Sequence, residues 1–357
     1  MKEEKLQLIF EQFDHGSVYD SYKELASGHI NDTFLIVTKN KPYYVLQRIN
    51  HQVFKDVPGL IENKVSISAH IRKKLEHLPK NELDRSVLTF VKSKNGASCY
   101  RGDADNYWNL MQFIDESVTF ELVKDAEVAY EGGKLFGEFI NLTSDFDTSN
   151  LIEVIPNFHN MRFRYEQFDA ALAKASEERI SLAKSYIAKV ALMKEEMHVL
   201  QDLKDRGEIP IRVTHNDTKI SNALFDTNNK GLCVIDTDTI MPGIVHYDFG
   251  DAIRTICNTA SEDETNLDLV EFNVDYYKAY SKGYLEQLGD TLTAEEIAQL
   301  PLAAKTMIFI IALRFLTDFL NDDIYFKTQY TNHNLDRAKN QFKLIESLNE
   351  KYDQIQL

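Results

Sequence analysis

Two segments in the second half of the chain constrain its fold more than any other feature. Residues 213–222 begin with an apolar pair and continue as a polar loop in which Asp217 and Asn222 are five residues apart. Residues 233–238 form a short apolar run that ends in Asp236. A loop of this kind can place a carboxylate and an amide side by side, and a strand end supplies a second carboxylate. The pattern predicts one site built from loops that a rigid scaffold positions.

The residue types in this pattern favour phosphoryl transfer. Transfer of a phosphoryl group from ATP needs a base beside the attacking hydroxyl and oxygen ligands that hold Mg²⁺ against the phosphates. Mg²⁺ prefers a few hard oxygen ligands from the protein, with phosphate oxygens and water completing the shell. Asp217 is the predicted base, and Asn222 and Asp236 are predicted metal ligands. Protein kinases carry such residues in the same order, so ATP and Mg²⁺ are the predicted cofactors.

Composition narrows the class of protein. A chain of 357 residues with 43% hydrophobic content is long enough for two lobes. The formal net charge of −16 argues against a nucleic-acid partner and against adhesion to anionic membranes. The three cysteines form no Cys-x-x-Cys pair, so neither structural zinc nor a disulfide framework is indicated. Residues 1–10 lack a signal-type apolar run, and the longest apolar candidate, 307–313, is far shorter than a membrane span. We expect a cytoplasmic protein; its oligomeric state is left open.

The chain divides by pattern into two regions. Residues 1–114 read as short strands around one helix at 60–75, with a hairpin turn at Asn95-Gly96. Beyond residue 114, long segments with helical spacing of apolar residues follow at 123–142, 165–203 and 301–320. Thr293 and Glu296 have the spacing of a capping box. The predicted class is α+β, a two-lobe protein-kinase-like fold. Residues 1–114 are the predicted nucleotide-binding lobe, and residues 115–357 the predicted catalytic and substrate-binding lobe.

The chain resembles the aminoglycoside phosphotransferase and choline kinase superfamily over nearly its whole length. The resemblance rests on residues 215–222, 234–236 and 247–251. Within the superfamily, residues 235–243, 247–254 and 313–318 are most similar to the anomeric N-acetylhexosamine 1-kinases. The resemblance implies ATP- and Mg²⁺-dependent phosphorylation of the C1 hydroxyl of N-acetylglucosamine or N-acetylgalactosamine, with a small amino sugar as the partner. The alternatives are a kinase for choline, ethanolamine or an aminoglycoside, and a pseudokinase that binds without catalysis.

Residues near the predicted base receive roles of different kinds. Lys219 is close enough along the loop to reach the γ-phosphate and offset charge in the transition state. His215 is expected to pack and fix the loop, and Asp248 and Asp251 to brace it. Asp238 points the same way as Asp236 on an extended segment, and three roles stay open for it: metal ligand, sugar contact, or partner of Lys219.

The predicted nucleotide site departs from the usual kinase pattern. The loop expected above the phosphates holds one glycine, Gly28, and the expected strand lysine is replaced by Gln47 or Arg48. Strand alternation places these two on opposite faces, so the sequence does not choose between them. Arg48 is a candidate phosphate clamp with Glu62 as its partner. The adenine is expected against the backbone of the segment that joins the lobes, which comprises Gln112, Phe113 and Ile114.

The sugar candidates are polar or aromatic residues of the second lobe: His159, Asn160, Arg254, Arg314, Asp318 and Tyr325. A hexosamine requires polar side chains beside an apolar or aromatic wall. Arg314 and Asp318 are four residues apart on an otherwise apolar helix, so they share one face. Burying a charged pair is costly, which favours a ligand role over a structural ion pair.

Overall fold

The computed structural model describes residues 3–25, 30–103 and 106–357. By their contacts the residues form two compact units. Unit 1 comprises Met1–Thr119, Leu142–Ile155 and Asn222–Pro242; unit 2 comprises Phe120–Asn141, Pro156–Ser221 and Gly243–Leu357. The units are therefore not the two continuous stretches predicted from the sequence, since two later segments belong with the first unit. One of those segments carries Asn222 and Asp236.

The helices and strands are numbered here in chain order. The helices are α1 (Glu3–Phe10), α2 (Val57–Lys74), α3 (Lys80–Ser86), α4 (Ala126–Leu142), α5 (Met161–Leu172), α6 (Glu177–Met197), α7 (Val199–Asp205), α8 (Val245–Ile256), α9 (Val274–Leu288), α10 (Ala294–Ala298), α11 (Leu300–Leu320) and α12 (His333–Glu350). The strands are β1 (Tyr19–Glu24), β2 (Asp32–Thr38), β3 (Tyr44–Ile49), β4 (Phe90–Val91), β5 (Tyr100–Arg101), β6 (Tyr107–Gln112), β7 (Arg212–Thr214), β8 (Ala223–Phe225), β9 (Gly231–Val234) and β10 (Met241–Gly243).

Unit 1 is built on an antiparallel sheet. The strand order is β1-β2-β3-β6-β4, and β5 pairs with the free part of β6. Apolar residues at alternate positions, such as Phe34 and Ile36 on β2, turn one face inward. Helix α1 covers that face with Leu6 and Phe10, which pack in one cluster with Trp108. One face of the sheet is therefore buried against α1.

Helix α2 of unit 1 begins at Val57, three residues before the predicted start at residue 60. The Asp56 carboxylate accepts a hydrogen bond from the Gly59 backbone N–H at 2.9 Å, and a proline occupies the first turn. Its buried face carries Leu60 and Ile67 but also the polar residues Asn63 and Lys64. The β8–β9 hairpin forms a separate two-stranded antiparallel sheet of the same unit.

Unit 2 is helical, and α11 is its central element. Helices α5, α6, α8 and α12 pack around α11. By length and composition alone α11 would pass as a membrane span, because the helix extends on both sides of the apolar run 307–313, past the charged residues that flank it. Its most apolar window is 78% buried inside the protein, as in a core helix. Gly250 of α8 lies directly against the Ala303 carbonyl of α11, so these two backbones approach closely.

Most predicted elements are present, with shifted boundaries. The segment predicted as one helix at 165–203 is divided into α5, α6 and α7, and Ser176 accepts the Arg179 N–H to cap the second of these. Strand β4 has only two residues, Phe90–Val91, and α3 ends shortly before it at Ser86. The capping box of Thr293 and Glu296 is confirmed. The Asn95-Gly96 turn is also confirmed, with Gly96 at φ 83°.

Candidate active site

One buried carboxylate fixes the backbone of the loop that carries Asp217. Asp248, on α8, accepts the backbone N–H groups of His215 and Asn216, each at 2.7 Å. Burial raises the pKa of Asp248 to about 6, against the opposing effect of these bonds. Asn216 has a left-handed backbone, φ 63°, and its side chain bonds to Thr214. These hydrogen bonds therefore hold the polar loop in a strained conformation.

Asp217 follows this fixed turn and remains partly open to solvent. Its side chain is 29% exposed, and Lys219 Nζ lies 3.2 Å from its Oδ2. His215 is fully buried; its Nδ1 accepts the Asp217 N–H at 3.3 Å, and its ring meets Phe136 and Phe139 edge-on. His215 therefore packs and orders the loop, as expected. The geometry suits Asp217 as a proton acceptor with a cation close by.

The predicted metal ligands Asn222 and Asp236 are brought to one end of the β8–β9 hairpin in unit 1. Ala223 pairs with Val234, and the Ile235 N–H donates to the Asn222 carbonyl at 2.9 Å. Asp236 then turns out of the strand with φ 56°. An amide and a carboxylate on adjacent chain ends form a donor set of hard oxygens that fits Mg²⁺ together with phosphates. In the described part of the chain, no three His, Cys, Asp or Glu side chains cluster as a metal site of their own.

Asp238 has partners other than those expected. Its carboxylate accepts hydrogen bonds from Lys64 Nζ of α2, from Gln47 Nε2 of β3 at 3.3 Å, and from Asn31 Nδ2. The side chains of Lys64 and Asp238 are 2% and 4% exposed. With both oxygens engaged by donors, this carboxylate acts in the structure as the counter-ion of Lys64. It is neither open for a metal nor the partner of Lys219.

The predicted pair of Arg48 with Glu62 is wrong. Arg48 Nε donates to Asp32 at 2.6 Å, because the two residues stand opposite each other on the paired strands β2 and β3. Glu62 is exposed, since it falls on the outer side of α2. Gln47 faces the other way from Arg48, is buried, and accepts from Lys64 at 3.1 Å. Gly28, the expected phosphate-loop glycine, lies outside the described residues.

The segment expected to contact adenine is partly committed to the sheet. The N–H groups of Gln112 and Phe113 donate to the carbonyls of Thr89 and Tyr43, each at 2.9 Å. Ile114 is 5% exposed and belongs to an apolar cluster with Met111 and Cys233. The partly buried members of that cluster are Val45, Phe90, Leu224, Leu232 and Ile235. This part of unit 1 can therefore contact the adenine base through apolar side chains, but not through the N–H groups of Gln112 and Phe113.

Two of the candidate sugar-binding residues, Asn160 and Arg254, have structural roles that explain their presence. Asn160 is the N-cap of α5, and its Oδ1 accepts the Phe163 N–H at 3.2 Å. Arg254 is buried and paired with Asp251 at 2.9 Å and with Glu262 at 2.7 Å. The pKa of Asp251 is raised, mainly by burial. The charge of Arg254 opposes this increase, and the charge of Asp217 adds to it. Asp251 therefore braces α8 through its arginine, as expected.

Arg314 and Asp318 do not form an ion pair with each other. Asp318 accepts the backbone N–H groups of Tyr325 and Phe326 at 2.8 and 2.9 Å, so it caps the loop after α11. Arg314 instead lies over three aromatic rings, Phe158, Tyr325 and Phe326, at 5.3–5.8 Å from their centroids. Tyr325 is 66% exposed. The helix face is shared as predicted, but the two side chains diverge to different partners.

His159 links this arginine to the catalytic loop. Its ring lies 4.4 Å from that of Phe158, and its Nε2 is 3.4 Å from the Asn216 carbonyl. Burial, then the charges of Arg314 and Arg164, hold the pKa of His159 well below its usual value. The imidazole is therefore neutral, and its buried Nδ1 has no hydrogen-bond partner among the described residues. A buried polar atom of this kind is costly unless a ligand or water satisfies it.

The structure adds Arg164 to the residues around Phe158, and Lys64 is a residue that sequence reasoning misses. Arg164 donates to the Phe158 carbonyl at 3.1 Å and to Gln167, and burial with the Arg314 charge lowers its pKa to about 9. A signal for Lys64 does exist in the sequence. It follows Leu60 by four residues and precedes Ile67 by three, so it is a lysine on the apolar face of an amphipathic helix.

Comparison with known proteins identifies the family and the fold. A model of the phosphotransferase enzyme family (APH) matches residues 21–298. Among solved structures, a microcompartment-associated aminopropanol kinase is 17% identical over 99% of each chain, with a TM-score of 0.59. An amicoumacin kinase in complex with AMP-PNP, Ca²⁺ and Ami is 12% identical, covering 97% of this chain and 94% of that one, with a TM-score of 0.62. A choline kinase from Cryptosporidium parvum Iowa II is 15% identical over 98% and 96%, with a TM-score of 0.56.

These likenesses confirm the predicted α+β kinase-like fold, with a sheet-bearing first part and a helical second part. The family match covers more than half of the chain and confirms the predicted phosphotransferase class. The predicted catalytic loop and the hairpin with the predicted metal ligands both lie within the matched range. This chain is a member of the phosphotransferase enzyme family.

Proposed function

We propose that the protein transfers the γ-phosphoryl group of ATP to the C1 hydroxyl of an N-acetylhexosamine in the presence of Mg²⁺. One observation carries the choice of acceptor. Two guanidinium groups, those of the half-buried Arg314 and the buried Arg164, lie around Phe158 next to the predicted catalytic loop. Among the described residues neither has a carboxylate partner. The surroundings of the acceptor are therefore cationic.

This electrostatic environment disfavours an amine as the acceptor. Choline, ethanolamine and aminoglycosides carry positive charge and are recognised by carboxylates or by the faces of aromatic rings. Here the ring faces of Phe158, Tyr325 and Phe326 are already covered by the Arg314 guanidinium. The ring of Tyr247 has Lys204 Nζ 5.7 Å from its centroid. An ammonium group placed among these cations would be repelled in a region of low dielectric constant.

A neutral amino sugar matches the same groups. Its hydroxyls and acetamide carbonyl accept hydrogen bonds from guanidinium groups, and its hydroxyls donate to an acceptor such as Nδ1 of His159. The ring of Phe158 supplies an apolar wall beside these polar atoms. His159 also contacts the carbonyl of Asn216, the residue before Asp217. A sugar held by His159 would therefore be close to the proposed base.

Unit 1 supplies the features expected of a nucleotide site. The apolar cluster of Val45, Met111, Leu224 and Ile235 is suited to a purine base, since partly buried apolar side chains offer it a wall. Asn222 and Asp236 would hold Mg²⁺ through their side-chain oxygens. When bound, the ion would offset the charge of the β- and γ-phosphate oxygens.

The chain's own residues then have definite tasks. Asp217 accepts the proton of the anomeric hydroxyl, which is more acidic than an ordinary alcohol, so a carboxylate of modest basicity suffices. Asp248 keeps the loop in the conformation that presents Asp217. Lys219, 3.2 Å from Asp217, is placed to offset negative charge on the transferring group.

The test is a screen of the purified protein with ATP and Mg²⁺ against free hexosamines, neutral hexoses, choline, ethanolamine and aminoglycosides. We expect ADP release with N-acetylhexosamines and a ³¹P NMR signal for phosphate at C1. ADP release confined to the amines would overturn the sugar assignment. The absence of turnover with every acceptor, while nucleotide still binds, would favour a non-catalytic role.

A further inference from the structure

Helix α2 holds the turn that follows Asp236 at two points. Lys64 forms an ion pair with Asp238, and the neighbouring Asn63 donates from Nδ2 to the Ile240 carbonyl at 2.9 Å. The short 3₁₀ turn Thr237–Thr239 contains Asp238, and Ile240 directly follows it. Both bonds are buried, and all the residues belong to unit 1. Two consecutive residues of one helix therefore fix the middle of this turn and the residue after it.

The ion pair is further tied to the sheet. Gln47 of β3 accepts from Lys64 through Oε1 at 3.1 Å and donates to Asp238 through Nε2 at 3.3 Å. Asn31 donates to the same carboxylate and also accepts the Asn50 N–H at 2.8 Å. Lys64 thus stands within a closed polar network of α2, β3 and the turn. Its Nζ also lies 5.7 Å from the centre of the Phe90 ring.

Stability alone is a weak reason for such a pair. Removing two charges from water costs several kcal/mol per ion in real proteins, and well-packed apolar residues often do as well or better. What the pair adds is a defined position for the segment that it joins. Asp236 stands immediately before this segment with a left-handed backbone, φ 56° and ψ 51°. The direction of its carboxylate depends on that conformation.

Protein kinases place a lysine on strand β3 and its glutamate on the following helix, and this pair must be formed for activity. In this chain the strand carries Gln47, the helix carries the lysine, and the carboxylate comes from the turn after Asp236. The lysine thus lies on the helix instead of the strand. Its carboxylate partner lies in the turn that follows the predicted metal ligand Asp236. Lys64 is 1% exposed, so the structure does not present it to a phosphate.

We propose that Lys64 is a positioning residue: through its ion pair with Asp238 it holds the turn that orients Asp236, and so sets the affinity for the divalent ion. The inference rests on the proposed role of Asp236 as a metal ligand. It differs from a phosphate-clamping lysine, whose loss would weaken nucleotide binding even without metal.

The experiment compares Lys64→Met with the wild-type protein and with Lys73→Met, which makes the same change at an exposed position of the same helix. Mn²⁺ binding is measured by electron paramagnetic resonance with AMP-PNP present. AMP-PNP affinity without metal is measured by calorimetry, and thermal unfolding checks the fold. Loss of an outer-shell partner typically weakens metal affinity about 10- to 100-fold. We expect a loss of that size for Lys64→Met, unchanged metal-free AMP-PNP affinity, and no change for Lys73→Met.

A charge exchange gives a second test should Lys64→Met fold poorly. The double variant Lys64→Asp, Asp238→Lys restores an ion pair of opposite direction, and we expect it to recover part of the Mn²⁺ affinity that either single change loses. Loss of metal-free AMP-PNP affinity, or unchanged Mn²⁺ affinity in a folded Lys64→Met, would overturn the proposal. These measurements need no acceptor. Failure of the sugar assignment would appear only in the acceptor screen, and failure of Asp236 as a ligand would appear as unchanged Mn²⁺ affinity in Asp236→Asn.

Discussion

Asp248 accepts the backbone N–H of Asn216 at 2.7 Å and so holds the residue before Asp217 in a left-handed conformation. The same carboxylate accepts the His215 N–H through its other oxygen, also at 2.7 Å. A fork of two acceptors facing two adjacent amides needs an ionised carboxylate, because a protonated one presents a hydroxyl to one of the amides. The loop geometry is thereby linked to the charge of a buried residue.

The first prediction concerns pH. Since the folded-state pKa of Asp248 is raised from 3.8 to about 6, we expect kcat to fall as the pH drops through about 6 and the carboxylate takes up a proton. The effect on stability has the opposite sign. The folded state binds this proton more tightly than the unfolded state, so the contribution of Asp248 to stability decreases as the pH rises from about 4 to about 6. A kcat–pH profile and urea unfolding at several pH values measure the two effects.

Asp248→Asn supplies the control for that profile. The amide keeps one acceptor but turns an N–H₂ group towards a backbone N–H, so the loop should shift. Misplacement by about 1 Å costs on the order of 10²-fold in rate. We expect a loss of that order in kcat and no acidic limb centred near pH 6. An unchanged limb in this variant would assign the titration to another group.

The second prediction concerns Asp217. Replacement by Asn removes the proposed proton acceptor while keeping the size of the side chain, and loss of a general base costs about 10²–10⁴-fold in rate. We expect that loss in kcat with nucleotide affinity within about twofold of wild type, since uniform binding is unaffected. Steady-state kinetics and nucleotide titration measure both quantities. A variant that keeps most of its rate would exclude Asp217 as the essential base.

The third prediction concerns Arg314. A hydrogen bond to a charged group contributes about 1.5–3 kcal/mol, so Arg314→Gln should raise KM for the sugar about 10- to 100-fold. Arg162→Gln is the matched control, because Arg162 is 51% exposed and pairs with Asp202 and Asp205 on the surface. The KM for ATP should not change in either variant. Equal effects of the two substitutions on the sugar KM would contradict the placement of the acceptor.

The fourth prediction concerns packing. A Cβ at Gly250 would collide with the Ala303 carbonyl oxygen and with the Met307 side chain. Helices α8 and α11 would have to separate, so we expect Gly250→Ala to lower the free energy of unfolding by about 1–3 kcal/mol. Gly102→Ala is the control, since a Cβ there meets its nearest neighbour at an ordinary 3.4 Å. Urea denaturation of both variants provides the comparison, and equal midpoints would show that α8 accommodates the methyl group.

Local patterns determined a large part of this protein. The sequence alone predicts the arrangement of Asp217, Asn222 and Asp236 on neighbouring loops and strand ends, because these residues are close along the chain. Strand β9 forms where the apolar run before Asp236 predicts a strand. The capping box at Thr293 and the turn at Asn95-Gly96 are likewise predicted by the local sequence. Such features depend on backbone hydrogen bonds within a few residues, which local sequence controls.

Partners far apart in the chain were decided only by the tertiary structure. Arg48 pairs with Asp32 and not with Glu62, since strand register and the helix face select the neighbour. Asp318 turns to the backbone of the loop after α11, although it shares a helix face with Arg314. Lys64 meets Asp238 across 174 residues of sequence. The periodicity of the sequence predicts which face of a helix or strand a side chain occupies. Its partner depends on which element of the tertiary structure packs against that face.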